Sequence, residues 1–253
     1  MSARKILFPV AAIEIFLLLW EALVWVMCWP NYKIASPSDL GPAYVKYADL
    51  FITLGWQTLW RSVAGLCLAI VFGTFLGMVM GFSRVMREAL YPLLVGFNAI
   101  PKATVVPIVA LMFVGMHDFN TVLIAFMISF FPIAVSVSIG LSTLEPEYRD
   151  ILAALGASQT TIFWKIALPK TLPEFFGALK VAVTLAFIGT NLMEIVSPHG
   201  RGLGALFDSG KTNSDYPLMF AVLIALAFLG IVLYYIVVAL EKIFAGWAER
   251  QPT

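Results

Sequence analysis

The chain has 253 residues, of which 61% are apolar and only 12% are charged. Soluble domains average about 45–50% apolar and about 25% charged residues, so this composition excludes an ordinary water-soluble protein. A net charge of +1 and a mean hydropathy of +0.92 also exclude a polyanion-binding protein and a disordered chain. We therefore expect one polytopic membrane domain over residues 1–253, in contact with the lipid bilayer and without a nucleic-acid partner.

Six apolar runs are each long enough to cross the bilayer as a helix, which takes about 20 residues. Strands of a transmembrane barrel would be about 10 residues long with alternating polarity, and these runs are apolar throughout, so a barrel is excluded. The sequence predicts an all-α membrane protein with six transmembrane helices. The runs are 6–28, 62–82, 90–115, 119–141, 175–196 and 217–240.

The first run follows Arg4 and Lys5 and contains two carboxylates, Glu14 and Glu21. It lacks a small-residue cleavage site, so we expect a retained span and not a signal peptide. The two carboxylates are seven residues apart and share a helix face, which we expect to point into protein because charges in a span are costly. Lys and Arg are more frequent in the segments on the side of the N-terminus, which predicts that both termini are cytoplasmic.

The second run carries a stripe of small residues, one at every fourth position. Small side chains allow two backbones to approach closely, which is how helices associate within a bilayer. We favour packing within the subunit over a contact between subunits. The stripe consists of Gly65, Ala69, Gly73, Gly77 and Gly81.

The third run is interrupted by Pro101 and Pro107, each of which removes a backbone donor. We expect this run to kink or break. Irregular backbone survives in a bilayer only where protein or a water-filled path satisfies its carbonyls, so both prolines and Lys102 are candidates for lining a solute path. A kink that serves packing alone is the alternative.

Asn191 and Glu194, near the end of the fifth run, are the other candidates for the path. Charged groups within a span are usually functional or paired, so Lys102 and Glu194 either line the path or form structural pairs. A lysine near the path would suit a small anion, whereas pairing of Lys102 with Glu14, Glu21 or Glu194 is the alternative.

Sites for catalysis, metals or cofactors are not predicted anywhere in the sequence. The two histidines, His117 and His199, fall in separate predicted outer loops. Residues 205–212 fit a loosened phosphate-loop pattern, but an apolar span precedes them where a true phosphate loop follows a buried strand. We interpret that match as accidental and expect a protein that is not an enzyme.

The loop 142–174 is too polar to span the membrane. Gly156 allows a sharp turn, Ser158 is suited to cap a short helix through Lys165, and Leu168-Pro169 is expected to close it. These features predict a compact element of two short helices on the cytoplasmic face, with several apolar side chains to be buried. Either a partner covers it or it folds back on its own bundle.

The loop resembles the signature segment of binding-protein-dependent ABC importer permeases, E-A-A, three residues, G, nine residues, I, one residue, L-P. Asp150, Ile151 and Leu152 replace the first triplet, whereas the spacing from Gly156 onward fits. The resemblance extends over most of the chain and is closest to the branch for nitrate, sulfonates, taurine, bicarbonate and some aromatic or pyrimidine solutes. Further matching positions are Trp20-Glu21, Ser36-Pro37-Ser38, Arg61, Gly65, Ile100-Pro101-Lys102, Pro107, Gly115, Glu194 and Gly202-Leu-Gly204.

The resemblance implies the type I importer permease fold and a multi-pass subunit of the bacterial inner membrane. It also implies a cytoplasmic ATPase dimer, a second and identical permease subunit, and an external solute-binding protein. A small anionic or aromatic solute is expected, with a secondary transporter or channel as the alternative function. Residues 146–169 would couple transport to the ATPase, through Asp150, Ala153, Gly156, Ala157, Ser158, Ile166, Leu168 and Pro169.

Overall fold

A computed structural model describes residues 4–30, 34–142, 154–156, 158–197 and 200–247. Within these ranges the secondary structure is helical, without a strand. The helices are α1 (Arg4–Val26), α2 (Pro37–Lys46), α3 (Ala48–Phe82), α4 (Arg84–Ala99), α5 (Lys102–Met112), α6 (His117–Ser142), α7 (Gln159–Ile162), a π-helical turn (Phe163–Ala167), α8 (Leu168–Val196), α9 (Leu203–Thr212) and α10 (Tyr216–Phe244). This confirms the predicted all-α architecture.

The stripe of small residues packs α3 against α6 within the subunit, as predicted. A β-carbon added at Gly77 would lie 2.6 Å from Cβ of Val137, and one added at Gly73 would lie 2.9 Å from the carbonyl oxygen of Phe130. Helix α8 packs on the other side of α6, where a β-carbon at Gly189 would lie 3.0 Å from Cα of Ala125. Helices α3, α6 and α8 therefore form the centre of the bundle.

The third run breaks at Pro101, one of the two prolines that predicted a kink or break. Helix α4 ends at Ala99 and α5 begins at Lys102, with an angle of 86° between them. Pro101 precedes the first residue of α5, whereas Pro107 lies within α5. The break at Pro101 thus separates two helices, and Pro107 is accommodated inside the second one.

The second helix is longer than its apolar run suggested. Residues 48–61 were assigned to an outer segment, but α3 runs without interruption from Ala48 to Phe82. No proline occurs between these ends, and the polar positions in the first turns do not break a helix. The segment 29–61, between the first two predicted runs, instead contains the short helix α2 and the first turns of α3.

The two carboxylates of α1 differ in their surroundings. Glu21 is half-buried and accepts hydrogen bonds from the backbone N–H of Ser38 at 3.0 Å and its hydroxyl at 2.8 Å. It therefore caps the N-terminal end of α2, where the helix dipole favours negative charge. Glu14 is exposed in the single chain, so for Glu14 the expectation that this face points into protein stays a prediction.

Four helical segments in the described part of the chain are long and apolar enough to cross a membrane, and the bent pair α4–α5 would make a fifth. The four are α3, α6, the continuous segment Phe163–Val196 and α10. Helix α1 has 23 residues and a length of about 35 Å, which suffices for a further crossing. The count of six spans stays a prediction.

Candidate functional site

Of the loop 142–174, the structure describes Ser142 and the residues from Ala154 onward, apart from Ala157. Asp150, Ala153 and Ala157 lie outside the described residues. Gly156 has φ of +80°, a conformation that favours glycine, and so forms the predicted sharp turn. Ser158 caps the following helix as predicted, because its hydroxyl oxygen accepts from the backbone N–H of Thr161 at 3.2 Å.

Leu168-Pro169 does not end this helix. The segment continues from α7 through the π-helical turn into α8, and Pro169 lies in the first turn of α8. The N–H of Leu168 donates to the carbonyl of Phe163, five residues earlier, which is the π-helical pattern. A proline is tolerated here because a first-turn N–H does not require a partner within its own helix. The last part of the loop and the candidate span that follows it therefore form one continuous helical segment.

The apolar side chains of this loop fall into two groups. Ile162 is buried, and the ring of Phe163 contacts Phe82 of α3 with centroids 5.3 Å apart. Leu155 and Trp164, by contrast, are 79% and 62% exposed in the single chain. The described part of the loop thus packs on its own bundle with one side and exposes apolar side chains on another in the single chain. Ile166, Leu168 and Pro169 are half-buried at the junction.

Lys102, half-buried at the bend, contacts helix α4. Its ammonium donates to the carbonyl oxygens of Phe97 at 2.7 Å and Asn98 at 3.3 Å, and it lies 4.8 Å from the centroid of the Phe97 ring. Among the described residues, Lys102 forms no ion pair with any of the three glutamates considered from the sequence. The lysine therefore satisfies carbonyls at the C-terminal end of α4, where positive charge is favoured.

The remaining path candidates lie on different helices. Pro101 and Pro107 are exposed on the bent α4–α5 pair. Asn191 is half-buried on α8, in a cleft between α8 and α10. Glu194 is only 1% exposed, one turn further along α8. The five candidates therefore do not form one cluster in the single chain.

Glu194 belongs to a buried ion-pair cluster that joins three helices. Its Oε1 lies 3.1 Å from Nη1 of Arg61, which is 2% exposed. The other side of the Arg61 guanidinium donates to Asp118 of α6, with Nη2 2.6 Å and Nε 2.8 Å from Oδ1. Nη1 also donates to the backbone carbonyl of Arg201. Each of the three guanidinium nitrogens of this buried cation thus donates to an acceptor.

The Glu194 carboxylate also holds the glycine-rich segment that precedes α9. It accepts from the N–H of Gly204 at 3.0 Å and from the hydroxyl of Thr58 at 2.9 Å, while Thr58 in turn accepts from the N–H of Leu203 at 2.9 Å. Gly202 has φ of +130°, and any β-carbon there would collide with the carboxylate. The glycines therefore allow the backbone to approach the buried carboxylate.

Sequence reasoning did not identify Thr58 and Asp118, and it treated Arg61 as an outer-segment cation. Thr58 and Arg61 are three residues apart and so share a helix face. This relationship would have been visible in the sequence if the second predicted helix had been extended to include both residues. Asp118 was assigned to an outer loop. Its pairing with Arg61, 57 residues earlier, depends on the packing of α3 against α6.

Residues 205–212 lie within α9 and so form a helix, in keeping with the interpretation that the phosphate-loop match is accidental. His117 lies at the start of α6, and its Nδ1 is 2.9 Å from the Ser197 hydroxyl. His199 lies outside the described residues.

Residues 69–247 match the family described as binding-protein-dependent transport system inner membrane component. The match covers more than half of the chain, and the chain belongs to this family. It is a multi-pass permease subunit of an ABC importer of the inner membrane. Permease subunits of this kind are not themselves enzymes, and membership of the family implies a substrate-binding protein and a partner ATPase. A secondary transporter or channel is therefore no longer an alternative.

The chain is similar to curated permeases with different solutes. It is 31% identical to the formylaminopyrimidine transport permease ThiX of Halalkalibacterium halodurans over 96% of each chain. It is 23% identical to the taurine transport permease TauC of Escherichia coli, over 97% of this chain and 91% of TauC. The predicted resemblance to the taurine and pyrimidine branch is confirmed. Because these relatives transport different solutes, the resemblance does not identify the solute of this chain.

The fold is that of a solved permease. A chain from an inward-facing structure of the MetNI methionine ABC transporter superposes with a TM-score of 0.66 at 16% identity. The superposition covers 79% of this chain and 98% of the MetNI chain. This confirms the predicted type I importer permease fold.

Proposed function

We propose that this permease subunit forms the solute path of an ATP-driven importer and is coupled to its ATPase through residues 146–169. The uncovered apolar face of the loop is the observation that carries the proposal. Leu155 precedes Gly156 and Trp164 lies in the π-helical turn after α7, and both are exposed in the single chain. On a loop outside the bilayer, where lipid does not cover apolar side chains, their exposure supports an interaction with a partner.

The helical continuity of the loop supports its role in transmitting force. A push on α7 reaches α8 without an intervening flexible linker, because α7, the π-helical turn and α8 follow one another directly. Helix α8 in turn packs along α6 and carries Glu194, whose ion pair with Arg61 reaches α3. Closure of an ATPase pair against the loop would therefore move the central helices together.

The complex that we propose contains two copies of this chain, two ATPase subunits and an external solute-binding protein. Family membership supports the last two kinds of partner. An identical second permease subunit is the simplest arrangement for one path between two chains. The excess of Lys and Arg on one side supports cytoplasmic termini and a position of the loop 142–174 on the ATPase side.

We propose a small aromatic solute in preference to a small anion. The anion hypothesis depended on Lys102, whose ammonium is engaged by the carbonyls of Phe97 and Asn98. The higher identity to a formylaminopyrimidine permease than to a taurine permease supports the same choice.

Reconstitution tests the proposed function. The chain is purified with its ATPase, inserted in liposomes and supplied with the solute-binding protein of the same system and its radiolabelled ligand. We expect uptake that requires ATP and both partners and persists without an ion gradient. Rapid flux through the chain alone, without nucleotide, would refute the proposal. Uptake that is abolished by collapsing an ion gradient while ATP is present would refute it as well.

A further inference from the structure

A cavity lies between α3 and α8 at the junction of α8 with the loop. Its volume is about 250 Å³, whereas protein interiors are close-packed, with few voids larger than a water molecule. A space of this size within a helix bundle is therefore unusual. The side chains that line it are buried or half-buried and almost all apolar. Its walls include Ile70, Thr74 and Met78 of α3 and Phe163, Leu168 and Thr171 of the junction.

The π-helical turn forms part of the wall of this cavity. The N–H of Leu168 donates to the carbonyl of Phe163, and both of these residues line the cavity. Such π-helical turns are frequent at functional sites. Because the two side chains belong to the junction and face residues of α3, any displacement of the junction relative to α3 changes the volume of the cavity.

Helix α8 contacts α6 tightly beside the cavity. A β-carbon added at Gly140 would lie 2.5 Å from Cγ2 of Thr171, so α6 approaches this side chain as closely as a glycine allows. Thr171 is buried, and its hydroxyl donates to the carbonyl of Ala167 at 2.7 Å, which holds the side chain in one orientation. The first turn of α8 is thus in firm contact with α6, whereas a cavity lies between it and α3.

The opposite end of α8 is tied to α3 by buried polar contacts. Nη1 of Arg61 lies 3.1 Å from Oε1 of Glu194, and the Ser62 hydroxyl donates to that of Thr190 at 3.0 Å. Parts of a structure with few buried contacts open more readily than parts with many. We therefore expect α3 and α8 to move relative to each other at the end that adjoins the loop.

We infer that the loop end of α8 pivots on its contact with Gly140 and that Phe163 and Leu168 close the cavity against α3 when the loop is displaced. The inference rests on the proposed coupling of this loop to an ATPase and states where in the bundle the displacement is first taken up. Closure brings apolar side chains into contact, so packing stabilises the closed arrangement. Two discrete packings of this kind make a bistable element, which a transport cycle requires.

Filling the cavity from α3 tests the inference. Thr74→Phe places an aromatic ring in the cavity, whereas Thr74→Val keeps the size of the side chain. Because cavity filling commonly stabilises a protein, we expect the Thr74→Phe permease–ATPase complex to melt at an unchanged or higher temperature. We also expect at least about tenfold slower ATP-driven uptake in liposomes, equivalent to a barrier about 1.4 kcal/mol higher, because the filled cavity does not close. Thr74→Val should match the native chain in both measurements.

Gly55→Ala is the matched control at the opposite end of α3. Its added β-carbon would lie 3.8 Å from Cδ1 of Leu229 and 3.9 Å from Cδ1 of Leu203, which are ordinary contacts without a collision. We expect an unchanged or higher melting temperature and native uptake. A loss of uptake as large as that in Thr74→Phe would overturn the inference, because stiffening any part of α3 would then suffice.

Ile70→Phe fills the same cavity from one turn away on α3 and provides a second variant. Basal ATP hydrolysis and size-exclusion profiles verify that each complex assembles. Native uptake in a filled variant that assembles would overturn the inference while leaving the proposed function intact. Lower melting temperatures in both filled variants would overturn it as well, because the cavity would then not accept a larger side chain. Uptake by the native chain that does not require ATP would instead refute the proposed function.

Discussion

Nζ of Lys102 lies 2.7 Å from the carbonyl oxygen of Phe97, the atom that a helical N–H at position 101 would otherwise bind. Position 101 is a proline and has no N–H, so the lysine side chain supplies the missing donor. The same ammonium contacts the carbonyl of Asn98 at 3.3 Å. The ammonium of Lys102 thus stabilises the bend between α4 and α5. From the sequence alone, the same residue was a candidate for contact with the solute.

Substitutions at Lys102 distinguish a role in capping helix α4 from a role in binding an anionic solute. Lys102→Gln keeps an N–H donor for the carbonyls but removes the charge, whereas Lys102→Met removes both. If the capping contact dominates, we expect Lys102→Gln to retain most uptake in liposomes, and Lys102→Met to lower both uptake and the apparent melting temperature, by roughly 3–6 °C. Equal loss of uptake in the two variants with unchanged melting would favour an anion contact.

The buried pair of Arg61 and Glu194 predicts a large loss of stability when one partner is removed. Arg61→Met leaves the 1%-exposed Glu194 carboxylate without its cation, which typically costs about 3–5 kcal/mol. We expect the purified variant to aggregate or to melt at a clearly lower temperature. The double variant Arg61→Met with Glu194→Met removes both charges and should recover part of the loss.

Arg84→Met is the control for that experiment. Arg84 pairs with Glu88 at 2.9 Å, but the two side chains are 89% and 66% exposed, and such surface pairs contribute about 0–1 kcal/mol. We expect melting close to that of the native chain. A comparable loss in Arg84→Met and Arg61→Met would show that burial of the pair is unimportant.

Local signals in the sequence predicted several parts of the fold. Pro101 predicted the break because a proline removes a helical donor wherever it lies. Gly156 and Ser158 predicted the turn and the cap because their conformational and hydrogen-bonding preferences act over a few residues. The stripe that ends at Gly81 predicted a close helix contact, since small residues permit it in any bundle.

Other features depend on residues that are distant in sequence. Glu194 meets Arg61 and Thr58 only after α3 and α8 have packed on α6, so hydropathy alone gave no reason to join them. The length of α3 was underestimated because an apolar-run criterion ends where polar residues begin, although polar residues continue a helix readily. Leu168-Pro169 was expected to end a helix, but a proline in the first turn of α8 is compatible with continuation.

Gly77 tests the contact between α3 and α6. A β-carbon there would lie 2.6 Å from Cβ of Val137 and 2.7 Å from the carbonyl oxygen of Ala134, so Gly77→Ala must push the helices apart. We expect a lower apparent melting temperature by several degrees. Gly177→Ala is the matched control, because nothing lies within 4 Å of its added β-carbon, and melting should be unchanged or raised. Equal effects would contradict the packing of the stripe.

Gly156 tests coupling through the backbone conformation of the loop. Its φ of +80° is strained for a β-branched residue, whereas no described residue lies within 4 Å of an added β-carbon, so we expect the effect to come from conformation and not from a collision. We expect Gly156→Val to retain membrane insertion but to lose ATP-driven uptake by at least about tenfold, with ATP hydrolysis no longer stimulated by loaded solute-binding protein. Purified complexes in liposomes provide both measurements.

The control for Gly156→Val is Gly156→Asn, since asparagine tolerates the left-handed conformation far better than valine does. We expect Gly156→Asn to keep most of the uptake and most of the stimulation of ATP hydrolysis. Both side chains are of similar size and point into open space, so a difference between them reports on φ at this residue. Normal coupled uptake in Gly156→Val would argue that the turn at Gly156 does not position the surface that the ATPase contacts.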